Sequence, residues 1–177
     1  GMAVTNDIAL AKCTRLLRSH GITNISADFQ PRSAAEIWNY QQTGLGFNYR
    51  MTDIQAALGL SQMQRLDEFV TKRLSIAKRY DQLLSALPVV TPWQHEDSYS
   101  GYHLYVICLK LNEIKKTQRQ VYDALHAAKI LVNLHYIPVY RQPYYEALGF
   151  SVGHCPNAES YFSHAISIPM YPDLTSI

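Results

Sequence analysis

The segment 44–60, with the sequence GLGFNYRMTDIQAALGL, constrains the fold most, because it joins a glycine-containing turn to the start of a helix. Two glycines give the turn backbone freedom that a Cβ would restrict. Thr52 and Gln55 have the spacing of a capping box, in which each side chain binds a backbone N–H of the first helical turn. Small and apolar residues follow, so the sequence predicts a helix over about 52–68 that packs on several sides.

Two polar side chains, Asn48 and Arg50, precede this helix and are therefore expected at its rim. A rigid element can aim such side chains at a ligand or a partner. Hydrogen bonds from loop to helix and a surface ion pair explain the same residues equally well by spacing alone. The residues themselves leave both interpretations open.

Composition excludes several classes of protein. The chain has 177 residues, of which 47% are hydrophobic and 17% charged, which is typical of a globular domain or a small two-part unit. A net charge of +2, with dispersed Lys and Arg, argues against a nucleic-acid-binding surface. No apolar run is long enough to span a membrane, so no membrane association is expected. Three widely spaced cysteines favour a reducing, cytoplasmic setting.

Both ends of the sequence suggest a longer protein. A short apolar strand over 2–5 comes first, and a lone strand leaves backbone groups unpaired. A helix follows to about His20, with Asn6 as the expected N-cap and Gly21 as the expected C′ residue. Its predicted buried residues are Ile8, Ala11, Leu16 and Leu17. Near the other end, Thr175 has the character of an N-cap without a helix after it.

The middle of the chain alternates irregular and helical patterns. Residues 22–43 lack periodicity and are predicted to form a loop anchored by Trp38 and Tyr40. Apolar residues over 76–87 recur at helical spacing, and Pro88 ends the run. The sequence therefore predicts a second long helix after the first.

From residue 100 the pattern changes to strand, helix and strand. Apolar runs typical of strands cover 102–109, 130–136 and 165–170. Thr117 and Gln120 form a second capping box at the start of the intervening helix, and two short helices precede the last strand. We place the third strand between the other two and antiparallel to both. This predicts an α/β fold with a small antiparallel sheet flanked by helices.

His135 is the histidine in the most suggestive position, because it ends a predicted strand just before Pro138, where loops often build sites. By spacing alone, a half-buried histidine bonded to a backbone carbonyl is the better interpretation. Four tyrosines follow and form either a ligand groove or ordinary packing: Tyr136, Tyr140, Tyr144 and Tyr145. The seven histidines lack the spacing of metal ligands, so no metal site is predicted.

Four segments together resemble one enzyme family. Residues 46–59 are similar to the G-[FY]-N-x-R-M-[TS]-[DE]-[IL]-Q-A-A-[LI]-G segment of the PLP-dependent nucleotide-sugar aminotransferases of the DegT/DnrJ/EryC1/StrS family. Residues 18–22 resemble the family's R-x-H-G, 102–105 its W/Y-H-L-Y strand, and 132–140 its V-x-x-H-Y-x-P-[VI] segment. The resemblance runs along the whole chain. It is greatest to the subgroup that aminates a UDP-linked 4-keto-6-deoxy-N-acetylhexosamine in pseudaminic-acid biosynthesis.

The resemblance implies the C-terminal portion of a type I PLP-transferase fold. Residues 1–50 would then be a remnant of the large cofactor domain, 51–90 the long interdomain helices, and 91–177 a small C-terminal α/β domain. The family acts as a homodimer, which implies a dimer or higher oligomer here. Exposed apolar patches facing the rest of the enzyme would also favour association.

The resemblance also implies roles for individual residues. Asn48 would bind the phosphate of the cofactor PLP in the neighbouring subunit's site, and Arg50 would support that loop or reach an anionic group. His135, Tyr136 and His103 would lie near the pocket for the sugar nucleotide. The amino group would come from an amino acid, with glutamate as the expected donor.

The main departure from the family concerns its Schiff-base lysine, which belongs to a motif upstream of the segments matched here. None of this chain's lysines has an equivalent position: Lys12, Lys72, Lys78, Lys110, Lys115, Lys116 and Lys129. Because that lysine anchors the cofactor and moves the proton, these 177 residues alone are expected to be inactive. The alternative is a non-catalytic truncated product that serves as an assembly or sugar-nucleotide-binding module.

Overall fold

A computed structural model describes residues 3–31 and 40–174 of the chain. These residues belong to two compact units, Gly1–Met63 and Gln64–Ile177. The helices are α1 (Ile8–Arg18), α2 (Asp53–Met63), α3 (Leu66–Leu84), α4 (Gln118–Ala127), α5 (Pro143–Glu146) and α6 (Pro156–His164). The strands are β1 (Ile22–Thr23), β2 (Gln41–Gln42), β3 (Val89–Val90), β4 (Tyr105–Leu109) and β5 (Ala165–Ile168), with 3-10 turns at Ser26–Asp28 and Val139–Arg141.

Helix α1 begins one residue later than the sequence predicted. The N-cap is Asp7, not Asn6, because the Asp7 carboxylate accepts hydrogen bonds from the N–H groups of Ala9 and Leu10 at 2.8 and 3.0 Å. A carboxylate at this end also interacts favourably with the helix dipole. Residues 3–5 form no strand, and residue 2 lies outside the described residues.

The C-terminal end of α1 differs from the prediction in a similar way. Gly21 donates its N–H to the Leu16 carbonyl at 2.8 Å, and the left-handed C′ position belongs to His20, with φ of 60°. Gly21, the next residue, also has a positive φ. Of the four residues predicted to be buried, Ala11 and Leu16 are only half-buried, and Ile8 and Leu17 are exposed, so the prediction for the last two is wrong. No described residue packs over that side of the helix closely enough to bury them.

The predicted loop over 22–43 contains a small sheet. β1 pairs antiparallel with β2, with Ile22 opposite Gln42 and Thr23 opposite Gln41. The expected anchor Tyr40 is 63% exposed, and Trp38 lies outside the described residues, as does Thr175. Periodicity missed these strands because each is only two residues long.

Helix α2 begins with the predicted capping box. Gln55 donates its N–H to the Thr52 hydroxyl at 3.3 Å, and Thr52 donates its N–H to the Gln55 side chain at 3.0 Å. The helix ends at Met63, however, and a break separates it from α3, so the prediction of one helix to residue 68 is wrong. Its apolar side chains are also exposed within the described part of the chain, including Ile54 at 84%.

The second unit contains the antiparallel sheet β3–β4–β5. β5 lies between β4 and residue Asn133, antiparallel to both, as the sequence predicted. The predicted strand 130–136 is wrong beyond that single bridge, because Val132 donates its N–H to Ile130 and Leu134 donates to the Asn133 side chain. The other edge of the sheet is β3, which the sequence did not reveal.

The core of the second unit lies where α3 and α4 cover this sheet. Its buried residues are Ala77, Tyr105, Ile107, Leu109, Val132 and Ile166. Burial alternates along β4, as expected of a strand with one face on the core. The capping box of Thr117 and Gln120 is present at the start of α4.

Tyr105 joins the sheet to α3. Its ring is fully buried, and its hydroxyl donates a hydrogen bond to Asp81. Tyr80, one residue earlier on α3, donates its hydroxyl to the Pro169 carbonyl at 2.8 Å. Burial, and then the bond to Asp81, raise the pKa of Tyr105 far above its ordinary value.

The helices are not of the membrane-spanning kind. Over the ranges that the structure describes, none combines enough length with enough apolar character to cross a bilayer.

We expect Tyr105→Phe to lower the free energy of unfolding by about 1–2 kcal/mol, because it removes a hydrogen bond to a carboxylate and keeps the ring. Urea unfolding measures the change. Tyr144→Phe is the matched control, since Tyr144 is exposed and its change should stay within about 0.5 kcal/mol. Equal effects of the two substitutions would contradict the role given to Tyr105.

The same variant has a pH signature. Because the folded-state pKa of Tyr105 is raised, its contribution to stability is fully present below the unfolded-state pKa of about 10 and is lost as the pH rises above that value. The free energy of unfolding should therefore fall more steeply above about pH 10 in the parent than in Tyr105→Phe.

Candidate functional site

The loop that carries Asn48 is held against the end of α1 by backbone hydrogen bonds. Asn48 itself forms an isolated antiparallel bridge with Ser19. Three bonds of 2.6–2.9 Å flank it: Phe47 N–H to Leu17 O, His20 N–H to Phe47 O, and Tyr49 N–H to Arg18 O. The backbone of Asn48 is thus fixed without use of its side chain.

Gly46 permits this close approach. A Cβ at this position would lie 2.4 Å from the backbone nitrogen of Gly21 and 2.7 Å from the carbonyl carbon of His20. Any side chain would therefore push the loop away from α1. The rings of Phe47 and Tyr49, on either side of Asn48, stack with centroids 5.0 Å apart and add a second restraint.

The side chains of Asn48 and Arg50 are both exposed. Neither side chain forms a hydrogen bond or an ion pair with another residue in the described ranges. The alternative explanation of these two side chains, by hydrogen bonds to the helix and a surface ion pair, therefore finds no support there. Arg50 lines an open cleft of about 480 Å³ together with Tyr49, Met51, Gln55 and Gly59.

The side-chain chemistry of Asn48 and Arg50 suits the binding of an oxyanion. An amide N–H donor and a guanidinium stand just before the N-terminus of α2, where the helix dipole favours negative charge. Each of these two donors suits an oxygen of a phosphate group, such as the phosphate of PLP.

The second set of predicted site residues lies in the second unit. His135 is half-buried, and its Nδ1 lies 2.7 Å from the hydroxyl oxygen of Ser167 on β5. The interpretation of His135 as bonded to a backbone carbonyl is therefore wrong. The exposed ring of Tyr136 meets the His135 ring edge-on, with centroids 4.6 Å apart, across a cis peptide bond.

His103 belongs to another segment of the same unit. It is exposed in the segment before β4, and no hydrogen bond or ring contact joins it to His135 or Tyr136 among the described residues. The contact between His135 and Tyr136 joins neighbours in the sequence, and no contact of either with His103 is found among the described residues.

The tyrosines after His135 do not form one groove. Tyr140 donates its hydroxyl to Glu159 at 2.5 Å and accepts the N–H of Cys155 at 3.2 Å. Burial and the Glu159 carboxylate raise the pKa of Tyr140, and the hydrogen bond from Tyr140 lowers that of Glu159. Tyr144 and Tyr145 meet edge-on at 5.3 Å. These contacts pack the loop before α6 and leave Tyr136 as the one that touches His135.

Within the described ranges, no three or more His, Cys, Asp or Glu side chains are grouped to hold a metal ion. The thiols of Cys13, Cys108 and Cys155 are free.

Sequence reasoning missed Ser167. Its hydroxyl is the partner of His135, yet nothing local marks it among the other serines of the chain. The pairing of β5 with Asn133 brings it to the histidine, and that register is a property of the folded sheet.

The chain is similar to known sugar aminotransferases. The profile of the DegT/DnrJ/EryC1/StrS aminotransferase family matches residues 1–176. The chain is 34% identical over 178 residues to the spore coat polysaccharide biosynthesis protein SpsC of Bacillus subtilis, covering 99% of this chain and 45% of SpsC. It is 31% identical over 176 residues to the UDP-4-amino-4,6-dideoxy-N-acetyl-beta-L-altrosamine transaminase of Helicobacter pylori, covering 98% and 44%.

The chain is also similar in structure to solved sugar aminotransferases. Helicobacter pylori PseC, an aminotransferase involved in the biosynthesis of pseudoaminic acid, superposes with a TM-score of 0.78 at 29% identity over 97% of this chain and 43% of PseC. The PLP form of the putative sugar aminotransferase Spr1654 from Streptococcus pneumoniae gives 0.80 at 25% identity, over 99% and 42%. The predicted fold, the C-terminal portion of a type I PLP-transferase fold, is confirmed. The chain spans less than half the length of these relatives.

We expect Gly46→Ala to displace the loop that carries Asn48 and to lower the free energy of unfolding by about 1–3 kcal/mol, because its methyl group would overlap fixed backbone atoms. Hydrogen exchange at the amides of Phe47 and Tyr49 should accelerate at least about tenfold.

Gly59→Ala is the matched control. Its added Cβ would meet no atom within 4 Å, so it should stabilise α2 by roughly 0.5–1 kcal/mol and leave those two amides unchanged. Indistinguishable exchange in the two variants would contradict the account of the loop.

Proposed function

Because the chain belongs to the DegT/DnrJ/EryC1/StrS aminotransferase family, we propose that it forms part of a PLP-dependent enzyme that transfers an amino group from an amino acid to a keto sugar nucleotide. The observation that carries this proposal is the family match over residues 1–176, since that range includes every candidate site residue. Glutamate is the proposed donor. A reducing compartment, the cytoplasm, suits the three free thiols.

Asn48 and Arg50 are proposed to hold the phosphate of PLP in the site of the neighbouring subunit. Their side chains are exposed, the backbone between them and α1 is fixed, and the N-terminus of α2 adds a favourable field. When bound, PLP supplies the electron sink for transamination. The role of this chain's residues is to bind and orient its phosphate.

His135, Tyr136 and His103 are proposed to contact the sugar nucleotide. The His135–Tyr136 pair supports this, because an imidazole and an exposed phenol ring offer hydrogen bonds and a flat apolar face to one ligand. The similarity to a UDP-sugar transaminase supports a UDP-linked 4-keto-6-deoxy-N-acetylhexosamine as the acceptor. We further propose residues 1–50 as part of the cofactor domain, 51–90 as interdomain helices and 91–177 as the small domain.

A polypeptide of these 177 residues alone is proposed not to transaminate. The family's Schiff-base lysine has no counterpart among its lysines, and the chain spans less than half of its relatives. Among these lysines, Lys72 is paired with Glu68 at 2.7 Å, and that hydrogen bond raises the pKa of Lys72. The alternative, a non-catalytic assembly or sugar-nucleotide-binding module, predicts instead that the chain binds without activity even when it is joined to the rest of an enzyme of this family.

Association with a second copy is also part of the proposal. Segment 45–63 carries a set of exposed apolar side chains: Leu45, Phe47, Met51, Ile54, Leu58, Leu60 and Met63. An apolar surface of this extent commonly marks an interface. We propose that a homodimer covers part of it.

A chimera tests the proposed activity. The 177 residues replace the corresponding portion of Helicobacter pylori PseC, and transfer of the amino group from glutamate to a UDP-linked 4-keto sugar is measured.

In the same chimera, we expect Asn48→Ala to weaken PLP binding about 10–100-fold, since it removes a hydrogen bond to a charged phosphate. Asn24→Ala, at another exposed asparagine of the same unit, should leave PLP binding unchanged. Equal PLP affinity in the two variants would refute the role of Asn48.

Analytical ultracentrifugation tests the association. We expect the chain to reach at least twice its monomer mass as its concentration rises, and Ile54→Lys with Leu58→Lys to hold it at the monomer mass, because the charges would have to be desolvated. Leu131→Lys, at an exposed apolar position of the second unit, should not change the association. A parent chain that stays monomeric at high concentration would argue against the dimer.

A further inference from the structure

Ser167 has an almost completely buried hydroxyl with one polar neighbour. The residue is 4% exposed, and its Oγ lies 2.7 Å from Nδ1 of His135. No other hydrogen bond of this hydroxyl is formed with the residues of ranges 3–31 and 40–174. The ring nitrogen is therefore the group that satisfies it there.

The burial of Ser167 favours one position of the imidazole proton. A buried hydroxyl that does not donate its proton loses a hydrogen bond without compensation from water. Ser167 can donate only if Nδ1 of His135 is unprotonated, since a protonated Nδ1 would itself be a donor. The neutral ring then carries its proton on Nε2.

The backbone of Ser167 is fixed on both edges of β5. Asn133 donates its N–H to the Ser167 carbonyl at 3.0 Å, and Ser167 donates its N–H to the Asn133 carbonyl at 2.8 Å. Val106 pairs with Ser167 on the other edge of β5. The hydroxyl thus stands on a residue whose backbone is paired on both sides, and the Tyr136 ring lies edge-on against the imidazole.

We propose that Ser167 is a positioning residue that holds His135 as the Nε2–H tautomer, so that the histidine acts as a hydrogen-bond donor to an oxygen of its ligand. In this tautomer Nε2 is a hydrogen-bond donor, so this nitrogen cannot accept a proton from the ligand. That this oxygen is a phosphate or hydroxyl oxygen of a sugar nucleotide rests on the proposed function. The assignment of the tautomer rests only on contacts within this chain.

The chain provides an internal reference for each tautomer. Nε2 of His126 lies 3.0 Å from the Val132 carbonyl, and Nδ1 of His164 lies 2.6 Å from the Ser160 carbonyl. A carbonyl only accepts hydrogen bonds, so His126 must be protonated on Nε2 and His164 on Nδ1. Both residues belong to the same unit as His135.

Long-range ¹H–¹⁵N NMR of the ¹⁵N-histidine-labelled chain tests the proposal. Spectra are recorded near pH 8.5, about two units above the ordinary pKa of histidine, and are assigned with single His→Gln variants. We expect the ring nitrogens of His135 to show the pattern of His126. A pattern like that of His164, or an average of the two, would overturn the proposal.

Substitutions separate positioning from a merely structural role. Ser167→Ala should shift the ring nitrogens of His135 toward the average of the two references, and Ser167→Thr, which keeps the hydroxyl, should restore the His126 pattern. Ser75→Ala, at an exposed serine of α3, is the control and should change nothing. An unchanged His135 spectrum in Ser167→Ala would overturn the proposal. Should that variant not fold, the parent and Ser167→Thr spectra still decide the tautomer.

These measurements need neither PLP nor a nucleotide. A wrong tautomer therefore refutes only the role of Ser167, whereas an inactive chimera with the expected tautomer refutes only the proposed function.

Discussion

The second unit depends on the pairing of β5 along both of its edges. Four residues of β5 pair with β4, and Ser167 also bridges Asn133. This arrangement buries Ile166 against the core that includes Tyr105, and it turns the Ser167 hydroxyl toward His135. The backbone ladder that stabilises the sheet therefore also orients the most distinctive polar side chain of the unit.

In the first unit, backbone hydrogen bonds fix a loop instead of a strand. Backbone hydrogen bonds hold residues 46–49 against the end of α1, and Gly46 makes the close approach possible. Because backbone hydrogen bonds already hold the loop in place, the side chains of Asn48 and Arg50 are not needed to anchor it to the described residues. In the first unit, Asn48 thus stands on backbone that hydrogen bonds have already fixed, which lowers the entropy lost on binding.

Hydrogen bonds between residues close in sequence could be predicted, whereas most of the packing between distant segments could not. Both capping boxes are present because their four side chains lie within one helical turn of the bonds they make. The predicted place of the last strand agrees with the structure, in which β5 lies between β4 and Asn133 and is antiparallel to both. Periodicity shows which side chains could be buried, but not what covers them, so Ile8 and Ile54 are exposed despite their spacing. Ser167 escaped notice because only strand register places it beside His135.

The central claim is that these residues bind and orient PLP and a sugar nucleotide but do not anchor the cofactor covalently. The direct test is to incubate the 177-residue chain with PLP, reduce it with borohydride and map any modified lysine by mass spectrometry. The account predicts no lysine that is modified stoichiometrically and selectively. Complete, selective modification of one of the seven lysines would contradict it.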